Sequence, residues 1–365
     1  MRAVYTSLLA IVLLLSCSSA FGSNAEDEKI IKSRLLEGQE HVFARNYDAA
    51  MKIFLEVKKD FPESPGGCFG EMAVYEVRML EREDFHLQNQ FLKAAKEGRK
   101  RVNKILQKYD PSAWELFISG ALLGLDGFFK ARKDQWWDAY VDGGKSRQLF
   151  RHVKKIDPAY IDADFGLGMY LYWRSVFTRD LWFLRFFPDK RKEGIAIVKR
   201  VAEKGHFSKE LAKANLAIAY FEEKEYKKAR PILDHFVKRY PNNVILRRLL
   251  GKVFAATKQY DAALEQFRAI RAIDPTFKKP YYFIGAILVL KKNPERYPEA
   301  EEKLRHFLKI QGGKYWPASA HYWLGRLEEQ RGNKEAARRE YEAAIKLYPK
   351  IRDAMKRVRG MGGAV

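Results

Sequence analysis

Cysteine is almost missing from this chain of 365 residues, which has only Cys17 and Cys68. Two thiols cannot build a disulfide scaffold or a four-thiolate zinc site. The seven His, from His41 to His321, never fall into His-Glu-x-x-His spacing, which removes the common metal motifs as well. With 13 Pro and 24 Gly the composition is neither collagen-like nor low-complexity. Beyond the opening segment no apolar run approaches the roughly 18 to 20 residues that span a bilayer. There is no Gly-x-Ser-x-Gly elbow and no Cys beside a His in a nucleophile context. The acids are dispersed beside cations, as in Glu335 with Arg338 and Arg339 following. No catalytic residue, metal, cofactor or small-molecule substrate is therefore expected. What remains is a chain 47% hydrophobic and 31% charged, able to bury a core, whose 68 Lys+Arg outnumber 46 Asp+Glu to give +22.

The opening residues fit an export signal over residues 1–22: Arg2, the apolar run Leu8 to Leu15, then the small residues Ser16 to Ala20. Two exits are open. Ser18 with Ala20, or Ala20 with Gly22, suits ordinary signal peptidase, whereas Leu14-Leu15-Ser16-Cys17 fits a bacterial lipobox that would lipidate Cys17. Either way Cys68 has no intramolecular thiol partner. No Asn-x-Ser/Thr sequon occurs, in keeping with a bacterial periplasmic or outer-membrane location. That location offers no nucleic acid. The anions open to a +22 chain are then lipid headgroups, lipopolysaccharide phosphates or acidic proteins, unless the charge is simply a solvated helical surface.

Self-comparison carries the most information. Leu216, Tyr226, Ala229 and Pro241 return 34 residues later as Leu250, Tyr260, Ala263 and Pro275. Paired antiparallel helices account for this: a small residue (Ala217, Gly251) admits the second helix, Ala229 or Ala263 faces it, and Pro ends it. Further copies run through Ile284-Gly285, Ala300 and Phe307, with about three extra residues near Asn293-Pro294. Others run through Leu324-Gly325, Ala337, Tyr341, Ala344 and Pro349, and through Gly38, Tyr47, Ala50, Phe54 and Pro62. These residues resemble the tetratricopeptide repeat family. The resemblance implies an all-α fold, an α-solenoid of antiparallel helix pairs that binds protein partners. The expected organisation is N-terminal helices at 25–110, divergent repeats at 111–205, a regular array at 206–350, and a capping helix with a Gly-rich tail at 351–365.

Within the divergent part, Gly143-Gly144-Lys145-Ser146 loosely satisfies a phosphate-loop pattern. Its helical context is wrong, because a phosphate loop leaves a buried strand, and Ser146 falls where a repeat puts its small contact residue. Trp173, Phe177, Trp182, Phe183, Phe186 and Phe187 lie among Arg174, Arg179 and Arg185. This mix reads either as core or as an insert that meets a partner or anionic headgroups.

In the family, positions two, five and nine of each first helix face the concave side. Carried over, they give Ile245, Arg248, Lys252, Lys279, Tyr282, Tyr322 and Arg326, a basic and aromatic groove suited to a partner segment, or else a solvated inner face. The family's carboxylate clamp pairs a cation with Asn four positions on. Here Lys252 follows Arg248, so terminal-carboxylate recognition is not expected.

Overall fold

A computed structural model describes residues 25–178 and 188–362. Cys17, Trp182, Phe183, Phe186 and Phe187 lie outside the described residues. Within them the chain is all-α and has no strand. Helix α1 covers residues 25–43. It is followed by α2 (Tyr47–Asp60), α3 (Gly66–Arg82), α4 (Gln88–Leu106), α5 (Ala113–Arg132), α6 (Trp136–Ile156), α7 (Ile161–Phe177), α8 (Arg191–Lys204) and α9 (Lys209–Glu222). Then come α10 (Tyr226–Arg239), α11 (Val244–Ala256), α12 (Tyr260–Ile273), α13 (Lys279–Lys291), α14 (Tyr297–Ile310), α15 (Tyr315–Arg331), α16 (Lys334–Leu347) and α17 (Arg352–Gly360). None of these helices is long and apolar enough to cross a membrane. The chain divides into two compact units, Met1–Ala219 and Tyr220–Val365.

The punctuation seen in the sequence sets the helix ends. Helices α2, α10, α12 and α16 stop two residues before Pro62, Pro241, Pro275 and Pro349. The residue preceding a proline is driven out of the helical region, so the chain must turn there. The extra residues near Asn293 form a 3₁₀ turn, Pro294–Arg296, opened by the Asn293 side chain accepting from the Glu295 amide. Turns inside helix pairs share one device: Lys224, Lys258 and Lys292 hold φ of 60°, 61° and 56°. After the first two, Glu225 N–H reaches Tyr220 O and Gln259 N–H reaches Phe254 O, both at 2.8 Å. These bonds satisfy carbonyls that a helix end leaves open. Gly332, at φ 83°, holds the same turn after α15 without a Cβ.

In unit 1 the core runs through Phe54, Met72, Phe91, Trp114, Phe117, Leu122, Phe150 and Phe207. The three glycines of α5 face α6: a Cβ at Gly120 would meet the Phe150 ring at 3.0 Å, one at Gly124 Ser146 Oγ at 3.1 Å, and one at Gly127 Asp142 Cβ at 3.3 Å. Ser146 is buried and donates to the Gly120 carbonyl at 2.7 Å, which makes it a helix-contact residue. The start of α9 is capped from a distance. Asp162, 6% exposed, accepts from the amides of His206 (3.1 Å), Phe207 (3.1 Å) and Ser208 (2.7 Å).

In unit 2 the small residues on first helices again admit a ring. A Cβ at Gly325 would stand 2.6 Å from Tyr341 Cε1, and one at Gly251 2.8 Å from Phe267 Cε2. Both rings are buried, so the helices approach only because the Cβ is missing. At the end of unit 2, α17 buries Ala354 and Val358 against Ala318, Ala337, Tyr341 and Ala344. Arg352, Lys356, Arg357 and Arg359 face outward.

Candidate partner-binding surface

In unit 2 the first helices α11, α13 and α15 carry the positions expected to line a groove. Ile245, Arg248 and Lys252 are half-buried on α11, and Tyr322 and Arg326 are half-buried on α15. Lys279 and Tyr282 at the start of α13 differ from the expectation of open groove residues, since each is only 7% exposed. The cause is an aromatic side chain on the next first helix. Trp316 of α15 lies under the Lys279 ammonium, 3.6 Å from the ring centroid, and meets the Tyr282 ring edge-on at 5.2 Å. A covered ammonium loses water and recovers part of that loss from the face of an indole ring.

The contacts continue in both directions. Lys252 stands 5.3 Å from the Phe283 centroid, and Phe283 meets Trp316 at 6.1 Å. The Tyr282 hydroxyl shares a hydrogen bond with Ser319 Oγ at 2.7 Å and accepts from Trp323 Nε1 at 2.9 Å. Burial raises the Tyr282 phenol above its ordinary pKa. Further along α15, Arg326 donates to the Tyr322 hydroxyl at 3.2 Å and stands 3.5 Å from Glu329, a carboxylate shared with Arg357. These side chains form a row of rings with cations seated on or beside them, fixed by contacts between successive helices. The row offers stiff apolar area, ring edges and positive charge, the means of holding a polypeptide segment.

Spacing within a single repeat brought Lys252, Lys279, Tyr282, Tyr322 and Arg326 to attention. It missed Phe283, Trp316, Ser319 and Trp323, the side chains that join them. The available signal was the aromatic enrichment at the starts of α13 and α15, Tyr281-Tyr282-Phe283 and Tyr315-Trp316. Among the described residues no group of three His, Cys, Asp or Glu side chains is gathered to hold a metal ion.

Unit 1 contains the described part of the aromatic segment. Phe177 is 46% exposed and packs on Trp173 of the same helix at 5.7 Å and on Trp136 of α6 at 5.2 Å.

Two family models described as tetratricopeptide repeat match residues 214–276 and 318–351. No curated protein matches the chain. Among solved structures, the anaphase-promoting-complex hetero-tetramer Cut9–Hcn1 is similar, with a TM-score of 0.56 at 11% identity. That match covers 86% of this chain and 52% of the other. PilF of Pseudomonas aeruginosa shares 17% identity over 65% of this chain and 95% of its own, with a TM-score of 0.44. YrrB, described as a tetratricopeptide repeat protein with an unusual peptide-binding site, shares 15% identity over 57% of this chain and 96% of its own, at a TM-score of 0.38. At these identities likeness speaks to the fold alone, and only the first match is close enough to argue from.

Proposed function

This chain is a tetratricopeptide-repeat protein, and on that premise we propose that it is a non-catalytic scaffold of the bacterial cell envelope whose unit 2 holds a segment of a protein partner. Repeats of this kind serve protein–protein interaction, and the fold supports that much directly. The placement of the site and of the protein is the proposal. One observation carries the site: the row from Lys252 through Phe283, Trp316 and Lys279 to Tyr282 and Trp323, in which rings are pinned by neighbouring helices before any partner arrives. Pre-positioned rings lose little conformational freedom on binding, and nearby cations favour a segment carrying carboxylates between apolar side chains. The envelope location rests on the signal-like opening, whether it ends in ordinary signal-peptidase cleavage or in lipidation of Cys17.

Cross-linked affinity capture from bacterial envelopes tests the reading, with the native chain compared to Trp316→Ala and to Lys252→Glu/Arg326→Glu. Recovery of a discrete protein from the envelope fraction, reduced at least tenfold by both variants, is the expected result. Capture that is indifferent to both variants would remove the site. A chain that fractionates with the cytosol would remove the location.

A further inference from the structure

One exposed face of α6 gathers aromatic rings at one end and cations at the other. Trp137 (75% exposed), Tyr140 (52%) and Trp136 (50%) open the helix, and Phe177 from the end of α7 joins them through its contact with Trp136. Trp137 and Tyr140 stack at 6.1 Å. Counting in helical turns from Trp137, the same stripe carries Gly144, Gln148, Arg151 and Lys155, about 27 Å from end to end. Gln148, Arg151, His152 and Lys155 line a shallow depression at its far end. Arg151 and Lys155 are exposed along the stripe, and Lys145 is exposed beside it. Only two acids belong to α6. Asp142 is turned inward onto Arg99 and Lys130, which leaves Asp138 as the one outward carboxylate.

We infer that this face docks unit 1 on an anionic phospholipid surface, with the aromatic end entering the headgroup zone and Arg151 and Lys155 lying on lipid phosphates. The combination of chemistries points to lipid. Trp and Tyr pair an apolar body with a polar edge and are at home where hydrocarbon meets water, and the cations follow on the same stripe with little opposing charge. Unlike the unit 2 rings, which neighbouring helices pin in place, Trp137 stands 75% exposed at the end of the stripe, the disposition of a side chain that enters a headgroup layer. The inference is independent of the unit 2 site.

Flotation of the full chain with vesicles tests it, using phosphatidylcholine alone against phosphatidylcholine mixed with phosphatidylglycerol. Selective binding to the anionic vesicles that falls as salt is raised is the expected result. Trp137→Ala should lower the partition about tenfold, since roughly 60 Å² of ring would no longer leave water. Arg151→Gln with Lys155→Gln should lower it about thirtyfold, near fivefold per cation. Circular dichroism should be unchanged, because all three side chains are exposed. Lys52→Gln/Lys59→Gln, exposed on α2 of the same unit, should change the partition less than about twofold. An equal loss from that pair would reduce the binding to overall charge and overturn the assignment. So would indifference to lipid charge, or binding of glycerol phosphate without binding of vesicles. Loss of self-association or of a captured protein in Trp137→Ala, with vesicle binding intact, would transfer the face to a second copy or to a protein partner. Trp316→Ala should leave flotation unchanged, so failure here and failure of the unit 2 reading are told apart.

Discussion

Removing the Asp162 carboxylate should be among the most damaging single changes in unit 1. Its Oδ1 accepts from His206 and Ser208, its Oδ2 accepts from Phe207, and these amides are the unpaired donors that precede α9. The group is also an anion at a helix amino terminus, where the helix dipole favours it. A buried donor left without a partner costs about 1 to 3 kcal/mol. Asp162→Ala abandons three donors, and water entering the gap offsets part of the loss, so about 3 to 5 kcal/mol is expected. Asp162→Asn keeps one oxygen with two of the bonds and sets an NH₂ against the Phe207 amide, for about 2 kcal/mol. Phe207 packs edge-on against Trp114 at 5.3 Å and Phe117 at 5.7 Å, so release of its amide should also loosen the core beneath. Urea unfolding gives the energies, and hydrogen exchange at residues 206–208 locates them. Asp162→Ala within about 1 kcal/mol of the parent, with those amides still protected, would refute the reasoning.

Lys258→Gly should stabilise unit 2 by about 0.5 to 1 kcal/mol in urea titration, because Lys258 pays for its φ of 61° while Gly does not, and Lys258→Ala should give no gain. Cys68 is fully buried and burial pushes its thiol up to about 11, so a thiol reagent should label the native chain at least about a hundredfold more slowly than the unfolded chain. Burial acts to raise the Glu301 carboxyl, but bonds from Arg305 and Arg331, both at 2.7 Å, outweigh it and hold the group below its ordinary value. A lowered folded pKa gives stabilisation that is complete above the unfolded value, about 4.3, and fades as pH falls through the folded one. Glu301→Gln should therefore flatten the acid limb of stability by less than about 1 kcal/mol, because the pair is partly exposed and screened.

What is local and periodic can be read directly from the order of residues. The 34-residue return of Leu, Tyr, Ala and Pro marks helices α10 to α12 and their stops, because proline restricts the residue before it wherever it occurs. The surplus near Asn293 marks an insertion, and Ser146 as a small contact residue follows from repeat position. Backbone propensity and helical period act over a few residues, so one repeat suffices to express them. The division between the units was not legible in this way. The sequence reading puts the start of the regular array at 205/206, whereas the compact units part at 219/220, inside α9.

Which side chains share a surface emerges from helix packing. Lys279 and Tyr282 occupy groove positions by count, yet Trp316, a helix away in space, covers them and makes rings the accessible material. Trp136 looks like an ordinary helix residue until α7 brings Phe177 against it. Asp162 caps amides 44 to 46 residues further along the chain, at a site that no window of sequence contains. Each of these depends on the crossing of neighbouring helices, which is set by how all the contacting side chains fill the space between them.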